Sequence, residues 1–171
     1  MNIEIKNVKY SSWNSDETHC FKATLYIDGQ RRFNVSNRGQ GGPNEYNTLE
    51  NVKISEREKI TMVTSSLLYG YIKKINAELS KETVQCEDFT LKNSLELVVG
   101  KLMNEWLKLR EVKKILKKIT YIGQNGNVYT LPNAKIKPTK DNLKKIQQAS
   151  WWKNSYVILN DLPIEKVMAY M

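Results

Sequence analysis

The sequence holds one histidine, two cysteines and four prolines, and each scarcity removes a class of function. No H-E-x-x-H, no paired His/Cys ligand spacing and no G-x-S-x-G occurs, so the recognisable metal-hydrolase and serine-hydrolase signatures are excluded. His19 adjoins Cys20, but consecutive residues of a strand point to opposite faces, so the two do not form a nucleophile–base pair. A pairing of His19 with Cys86 is the one Cys–His arrangement left open. Charged residues interrupt "MNIEIKNVKYSSW", so no secretion signal is expected there. No apolar run approaches the roughly 20 residues that a membrane span requires. Two thiols without metal-like spacing then point to a reducing cytosol and a protein that does not engage a membrane. Acidic residues are scattered, mostly at helical surface positions, so no carboxylate pair stands out. No cofactor, no metal and no catalytic residue are expected, and enzymatic activity is disfavoured.

Acidic residues are scarcest where bases are densest. From Leu107 to Lys153 there are twelve lysines or arginines, among them Lys113, Lys114, Lys117, Lys118, Lys144, Lys145 and Lys153, against Glu111 and Asp141 alone. That segment carries the whole excess of a chain whose net charge is +9. Such asymmetry directs a field toward anions, nucleic acid or an acidic protein surface. The competing reading is a lysine-rich solubilising face, since Arg110 is the only arginine in the segment and arginine is the better nucleic-acid reader.

With 40% hydrophobic and 26% charged residues, the 171-residue chain is ordinary for a globular protein. It reads as a single α+β domain, strand-rich over 1–37, helical over 55–118, mixed and basic over 119–171. "MNIEIKNVKY" alternates at Ile3 and Ile5 and then slips phase to Val8 and Tyr10, which predicts a strand with a bulge. "CFKATLYIDGQRRFNVSN" predicts a hairpin. A two-residue Asp28-Gly29 turn would set its apolar sets on opposite faces. A three-residue loop with a glycine bulge is therefore preferred, pairing Ala23 with Phe33 and Phe21 with Val35. A helix is predicted after the capping box Ser55/Glu58, with the stripe Ile60, Val63, Leu67, Tyr71, Ile75 and Leu79. A second, opened by Asn93 with Glu96, shows the stripe Leu95, Val99, Leu102, Trp106, Leu109 and Leu116. A hairpin around Asn125-Gly126, a loop bracketed by Pro132 and Pro138, a short helix capped near Thr139 or Asp141, a buried strand in "SYVILND" and a last helix in "LPIEKVMAY" complete the chain. The predicted architecture is an antiparallel sheet of two hairpins plus a C-terminal strand, packed on two main helices.

Two stretches invite a functional reading. In "NRGQGGPNEY", Gly39, Gly41 and Gly42 follow a strand, with Arg38 before them and Pro43, Asn44 and Tyr46 after. A dinucleotide fingerprint fails because Asn44 takes the third glycine's place, and a P-loop fails for want of Lys followed by Ser or Thr. Pro43 has no N–H and would interrupt a nest of amides. The loop reads as a connection that needs positive φ, whose tip touches a partner; a small-ligand or nucleotide site over 38–46 is the alternative. In "KKIQQASWWKNSY", Trp151 and Trp152 adjoin Lys144, Lys145 and Lys153. One exposed ring beside those charges would suit base stacking or anchoring a partner, whereas both rings capping the core is the plainer reading.

The run "CFKATLYIDG" followed by "FNVSNRGQGGPNEY", about residues 20 to 46, resembles a pattern in small accessory proteins of bacteriophages and prophages. The Lys-, Asn- and Ile-rich composition fits a low-GC bacterium or its phage. The resemblance implies an accessory role in phage–host conflict in the host cytosol, such as inhibition of a nuclease-based defence, and carries no site residues with it. Three functions are thus expected in order. The first is a non-enzymatic interaction protein docking on a nucleic-acid-handling or defence complex. Direct nucleic-acid binding is second, and small-ligand binding at the glycine loop is third.

Overall fold

The computed structural model describes residues 1–47, 65–86, 89–131 and 136–171. The expected capping box Ser55/Glu58, the stripe positions Ile60 and Val63, and Pro132 lie outside the described residues. The chain forms two compact units, Met1–Met103 and Asn104–Met171. Among the described residues no helix is long and apolar enough to cross a membrane.

The first unit is built on a four-stranded antiparallel sheet of β1 (Ile3–Ser11), β2 (Cys20–Ile27), β3 (Gln30–Asn37) and β4 (Glu45–Asn47), in that order. One face of the sheet must stay apolar, and the pleat changes face at every residue. In β1 the expected bulge is present. The register shifts between Lys6 and Lys9, Asn7 adopts a φ of 55°, and Ile3, Ile5 and Tyr10 come to oppose Ile27, Leu25 and Phe21.

The β2–β3 hairpin solves the same problem differently from the expectation. Its turn is the two-residue one after all, with Asp28 and Gly29 both left-handed (φ 49° and 76°) and Ile27 opposite Gln30. The parity error is corrected within β3, where Arg31 opposes Tyr26 but Phe33 opposes Leu25, leaving Arg32 as the extra residue. Ala23 therefore pairs with Val35 rather than Phe33, and Phe21 with Asn37 rather than Val35. A clamp from the chain start favours the tight turn: the Asn2 N–H donates to Asp28 Oδ1 at 2.7 Å, and the Asp28 N–H to the Asn2 carbonyl at 2.8 Å.

Phe21, Ala23, Leu25, Ile27, Phe33 and Val35 are buried by this arrangement. Helix α1 (Ser65–Leu79) adds buried Ile75 and Leu79, and its Tyr71 meets Phe33 edge-on at 6.1 Å. The sequence reading missed β4 and a two-stranded ribbon, β5 (Thr83–Cys86) with β6 (Phe89–Lys92), whose residues are largely exposed and lack a Gly or Pro turn signal.

Helix α2 (Leu95–Ile115) begins one residue later than expected. Ser94 rather than Asn93 caps it, its Oγ accepting from the Leu97 N–H at 3.3 Å. The predicted single stripe does not hold: Leu95, Val99, Met103 and Val112 are buried, while Leu102, Trp106, Leu109 and Leu116 are half-buried. The helix divides between the two units, Leu95, Val99 and Met103 belonging to the first and Val112 to the second, so no single stripe governs it.

The second unit centres on a three-stranded sheet ordered β8 (Val128–Thr130), β7 (Thr120–Ile122), β9 (Val157–Ile158). Each face packs into its own cluster. Ile122 joins Val112, Leu159 and Val167, the last from helix α4 (Ile164–Ala169). On the other side Ile119 and Ile158 join Leu143 and Ile146 of helix α3 (Lys140–Gln147). Thr139 caps α3, accepting from the Asn142 N–H, as one of the two expected candidates. The β7–β8 connection is the three-residue form, closed by the Gly123 N–H on the Asn127 carbonyl at 2.9 Å with Gly126 at φ 78°. The glycine-bulge geometry expected at Asp28-Gly29 is thus found at Asn125-Gly126.

"SYVILND" pairs over two residues only, then turns into a 3-10 helix, Leu159–Asp161. The turn is tied to the end of α2. Asn160 Nδ2 donates to the carbonyls of Leu116 (3.0 Å) and Lys118 (2.9 Å), and the buried Thr120 hydroxyl donates to the Ile115 carbonyl at 2.8 Å. The Ile115 carbonyl also accepts the Lys118 N–H at 2.9 Å, so backbone and side chains together meet the carbonyls that close the helix. The α+β class and antiparallel pairing hold throughout, with the hairpins distributed over three sheets rather than one.

The Arg32 bulge generates a test. Arg32→Ala loses only the guanidinium lying 5.9 Å from the Tyr71 ring centroid and should cost less than about 1 kcal/mol. Deleting Arg32 should instead abolish the cooperative thermal transition followed by circular dichroism, because Phe33 and Val35 would change face.

Candidate functional site

The loop that carries Arg38 to Tyr46 is organised around Asn37, a buried polar side chain in an otherwise apolar row. Asn37 Oδ1 accepts from the Thr18 hydroxyl at 2.9 Å and from the Gly39 N–H at 2.8 Å. Its Nδ2 donates to the Gly42 carbonyl (2.9 Å) and to Asn44 Oδ1 (3.1 Å). The Gly39 carbonyl in turn accepts the N–H groups of Asp16, Glu17 and Thr18 at 2.9 to 3.3 Å, fastening the 12–18 loop to it. Gly39 is buried at φ 86°, and a β-carbon there would overlap the Asn14 carbonyl oxygen. Here glycine is demanded by both backbone angle and space.

This geometry bears on anion binding. The Gly39 N–H is held by Asn37, the Gly41 N–H by the Thr18 hydroxyl at 3.3 Å, and the Asn44 N–H by the Glu96 carboxylate at 3.0 Å. Three amides that a phosphate would need are thus occupied, one of them by a carboxylate that would repel it. Arg38 reaches Glu45 at 3.0 Å and is mostly exposed. Tyr46 is half-buried, edge-on to Phe33 at 5.8 Å, with its hydroxyl donating to Glu96 at 3.4 Å. Burial, with the Glu96 carboxylate beside it, holds the Tyr46 phenol well above its ordinary pKa. The fastened 12–18 loop also displays Trp13, 93% exposed, which the sequence reading passed over because a lone tryptophan among polar loop residues carries no periodic signal.

The second unit holds the charge. It contains thirteen lysines or arginines against five acids, while the first holds fourteen against thirteen. Lys113, Lys114, Lys117, Lys118, Lys144 and Lys145 are all exposed. Among the described residues Lys114 pairs with Glu111 at 3.5 Å, and the other five make no ion pair. Lys113 and Lys114, and Lys144 and Lys145, stand in the last turns of α2 and α3, where cations complement the helix dipole.

Trp151 and Trp152 are brought together with three tyrosines the sequence reading did not single out. Tyr121 of β7 lies at the centre. Tyr129 stacks on it across the strand pair at 5.6 Å, Tyr156 lies at 5.3 Å, Trp152 at 5.5 Å and Trp151 at 6.1 Å. Trp152 also packs against the α3-side cluster, so one of the two rings does finish a core, while Trp151 is 46% and Tyr129 40% exposed. The alternation Thr120, Tyr121, Ile122 opposite Val128, Tyr129, Thr130 was the available signal: it puts both tyrosines on one face. Burial raises the Tyr121 phenol above its ordinary pKa, with the phenols of Tyr156 and Tyr129 adding to it. Lys153 crosses to the hairpin and donates to Gln124 Oε1 at 3.2 Å.

Ser150 and Lys153 share the S-x-x-K spacing of some acyl-transfer enzymes. That spacing brings hydroxyl and amine together only on a helix, and this segment follows the end of α3. His19 is half-buried and edge-on to Tyr10 at 6.0 Å. The Cys86 thiol lies outside the described side chains, and with it the His19–Cys86 pairing. Compared with protein-family models, curated proteins and solved structures, the chain matches none.

Two outcomes follow from the Asn37 loop. Gly39→Ala should destabilise the first unit by more than about 2 kcal/mol, whereas Gly42→Ala, which meets open space, should stay within about 0.5 kcal/mol, both read by denaturant unfolding. Because the folded-state pKa of Tyr46 is raised, the stability it contributes is complete below the ordinary phenol value of about 10 and falls as pH rises beyond it. Tyr46→Phe should flatten that alkaline decline in a pH series of unfolding curves.

Proposed function

We propose that the protein is a non-enzymatic interaction protein that docks on a nucleic-acid-handling complex through the exposed basic and aromatic residues of its second unit. The observation that carries this reading is the coincidence, in one unit, of exposed lysines, five of the six named above without an ion pair among the described residues, with the exposed rings of Tyr129 and Trp151. Neither is required by the interior. Among the described residues no buried side-chain polar atom lacks a partner, so none is left for these lysines to satisfy. Both groups would gain most from a polyanionic partner. A phage-type accessory inhibitor acting in a bacterial cytosol is the role that accords with this surface and with the resemblance of residues 20–46.

A ligand-binding role for the glycine loop is the weaker reading, because the Gly39, Gly41 and Asn44 amides are already bonded within the chain. The test is recovery of the complex from bacterial lysate by the tagged protein. Reversal of Lys113, Lys114, Lys117 and Lys118 to glutamate should abolish recovery, with the quadruple Lys→Gln variant intermediate and both variants folded by circular dichroism. Equal recovery with the reversed variant would overturn the proposal.

A further inference from the structure

We infer that the ring cluster around Tyr121 is a stacking platform for the bases of single-stranded nucleic acid. This rests on the docking reading above and names which component of the complex is touched. Tyr121 and Tyr129 are cross-strand neighbours whose rings stack on each other 23° from parallel, so one face of the sheet presents an aromatic pair, with Tyr129 the more exposed member. Trp151 lies 6.1 Å from Tyr121, and the half-buried Trp152 and Tyr156, in contact with each other at 5.2 Å, lie 5.5 Å and 5.3 Å from it. The Tyr129 ring is held in place. A β-carbon on Gly123 would strike the Tyr129 ring at 2.6 Å, so that glycine lets the ring lie on the hairpin, and Asn125 Nδ2 donates to the Tyr129 hydroxyl at 2.8 Å.

The chemistry of the surround selects the occupant. Between Val112 and Asn160 the only acid is Asp141, while Lys117, Lys118 and Lys153 flank the aromatic segments in sequence. Aromatic rings in a lysine-rich, acid-poor segment match an unpaired strand, which offers a π-face on every base and a charge on every phosphate. A duplex hides its base faces within the stack, so it would use the charge and not the rings. An acidic protein would likewise use the lysines and gain less from stacked tyrosines.

The test uses the purified full chain and labelled single-stranded oligo-dT and oligo-U, with a duplex of equal length and inorganic polyphosphate as comparisons, read by fluorescence anisotropy. The single strands should bind more tightly than duplex or polyphosphate. Tyr129→Ala with Trp151→Ala, both at exposed positions, should weaken single-strand binding about tenfold, the loss expected for one base stack, and leave the salt dependence unchanged. Trp151→Phe should retain most of the affinity. Reversing the four lysines should instead flatten the salt dependence, by about 0.7 in logarithmic slope for each phosphate no longer neutralised. Equal binding by the ring variants, or equal affinity for duplex or polyphosphate, would overturn the inference. So would absence of oligonucleotide binding alongside a nuclease-resistant, lysine-dependent protein partner, a result that leaves the docking proposal standing. If the lysine reversal changes neither measurement, the docking proposal fails with it.

Discussion

A pleated strand turns successive side chains to opposite faces, and the first unit depends on keeping one face of its sheet apolar across four strands. Two single-residue insertions maintain that condition. The bulge at Asn7-Val8 keeps Ile3, Ile5 and Tyr10 on one face, and the extra Arg32 returns Phe33 and Val35 to the face of Leu25 and Ala23. Without either, a whole strand would turn its hydrophobic set to water. Arg32 is the more instructive, because it lets a tight left-handed turn coexist with an apolar pattern that the turn alone would have broken.

The same face explains the glycine loop. Asn37 occupies the position opposite Phe21, where a buried amide must find partners for both its oxygen and its nitrogen. It finds them in Thr18, Gly39, Gly42 and Asn44, and so draws two loops around itself. Gly39 is required because its carbonyl receives three amides from a segment packed where a side chain would stand. A glycine-rich sequence after a strand can mark a phosphate site, but here its hydrogen-bonding capacity is directed inward.

In the second unit the division of labour runs through the sheet. One face meets α2 and α4, and the other meets α3 and then extends past it as rings. Asn160 and Thr120 hydrogen-bond to the carbonyls of Ile115, Leu116 and Lys118 where the chain leaves α2. That frame is made by amide, hydroxyl and carbonyl groups and not by the lysine ammonium groups of the same segment.

Much of the local structure was legible in the chain. Phase slippage in "IEIKNVKY" marked the bulge, period-2 patterns marked β1 to β3, Thr139 marked the cap of α3, and the run of lysines marked the charged unit, because each depends on neighbours in sequence. The ribbon Thr83–Lys92 left no such mark, since its residues are mostly exposed. Which hairpin took which turn was decided by tertiary contacts, chiefly the Asn2 clamp on Asp28. The stripe of α2 was misread because the helix belongs to two units, a fact no periodicity contains. Trp151 and Trp152 could be noticed in the sequence, but Tyr121, Tyr129 and Tyr156 join them only because a sheet register and a returning chain bring together residues up to 35 positions apart. Sequence by itself determined the charge and those elements whose local pattern is periodic or capped; tertiary structure alone decided turn geometry, the inward use of the glycine loop and the ring cluster, because each is a meeting of distant residues.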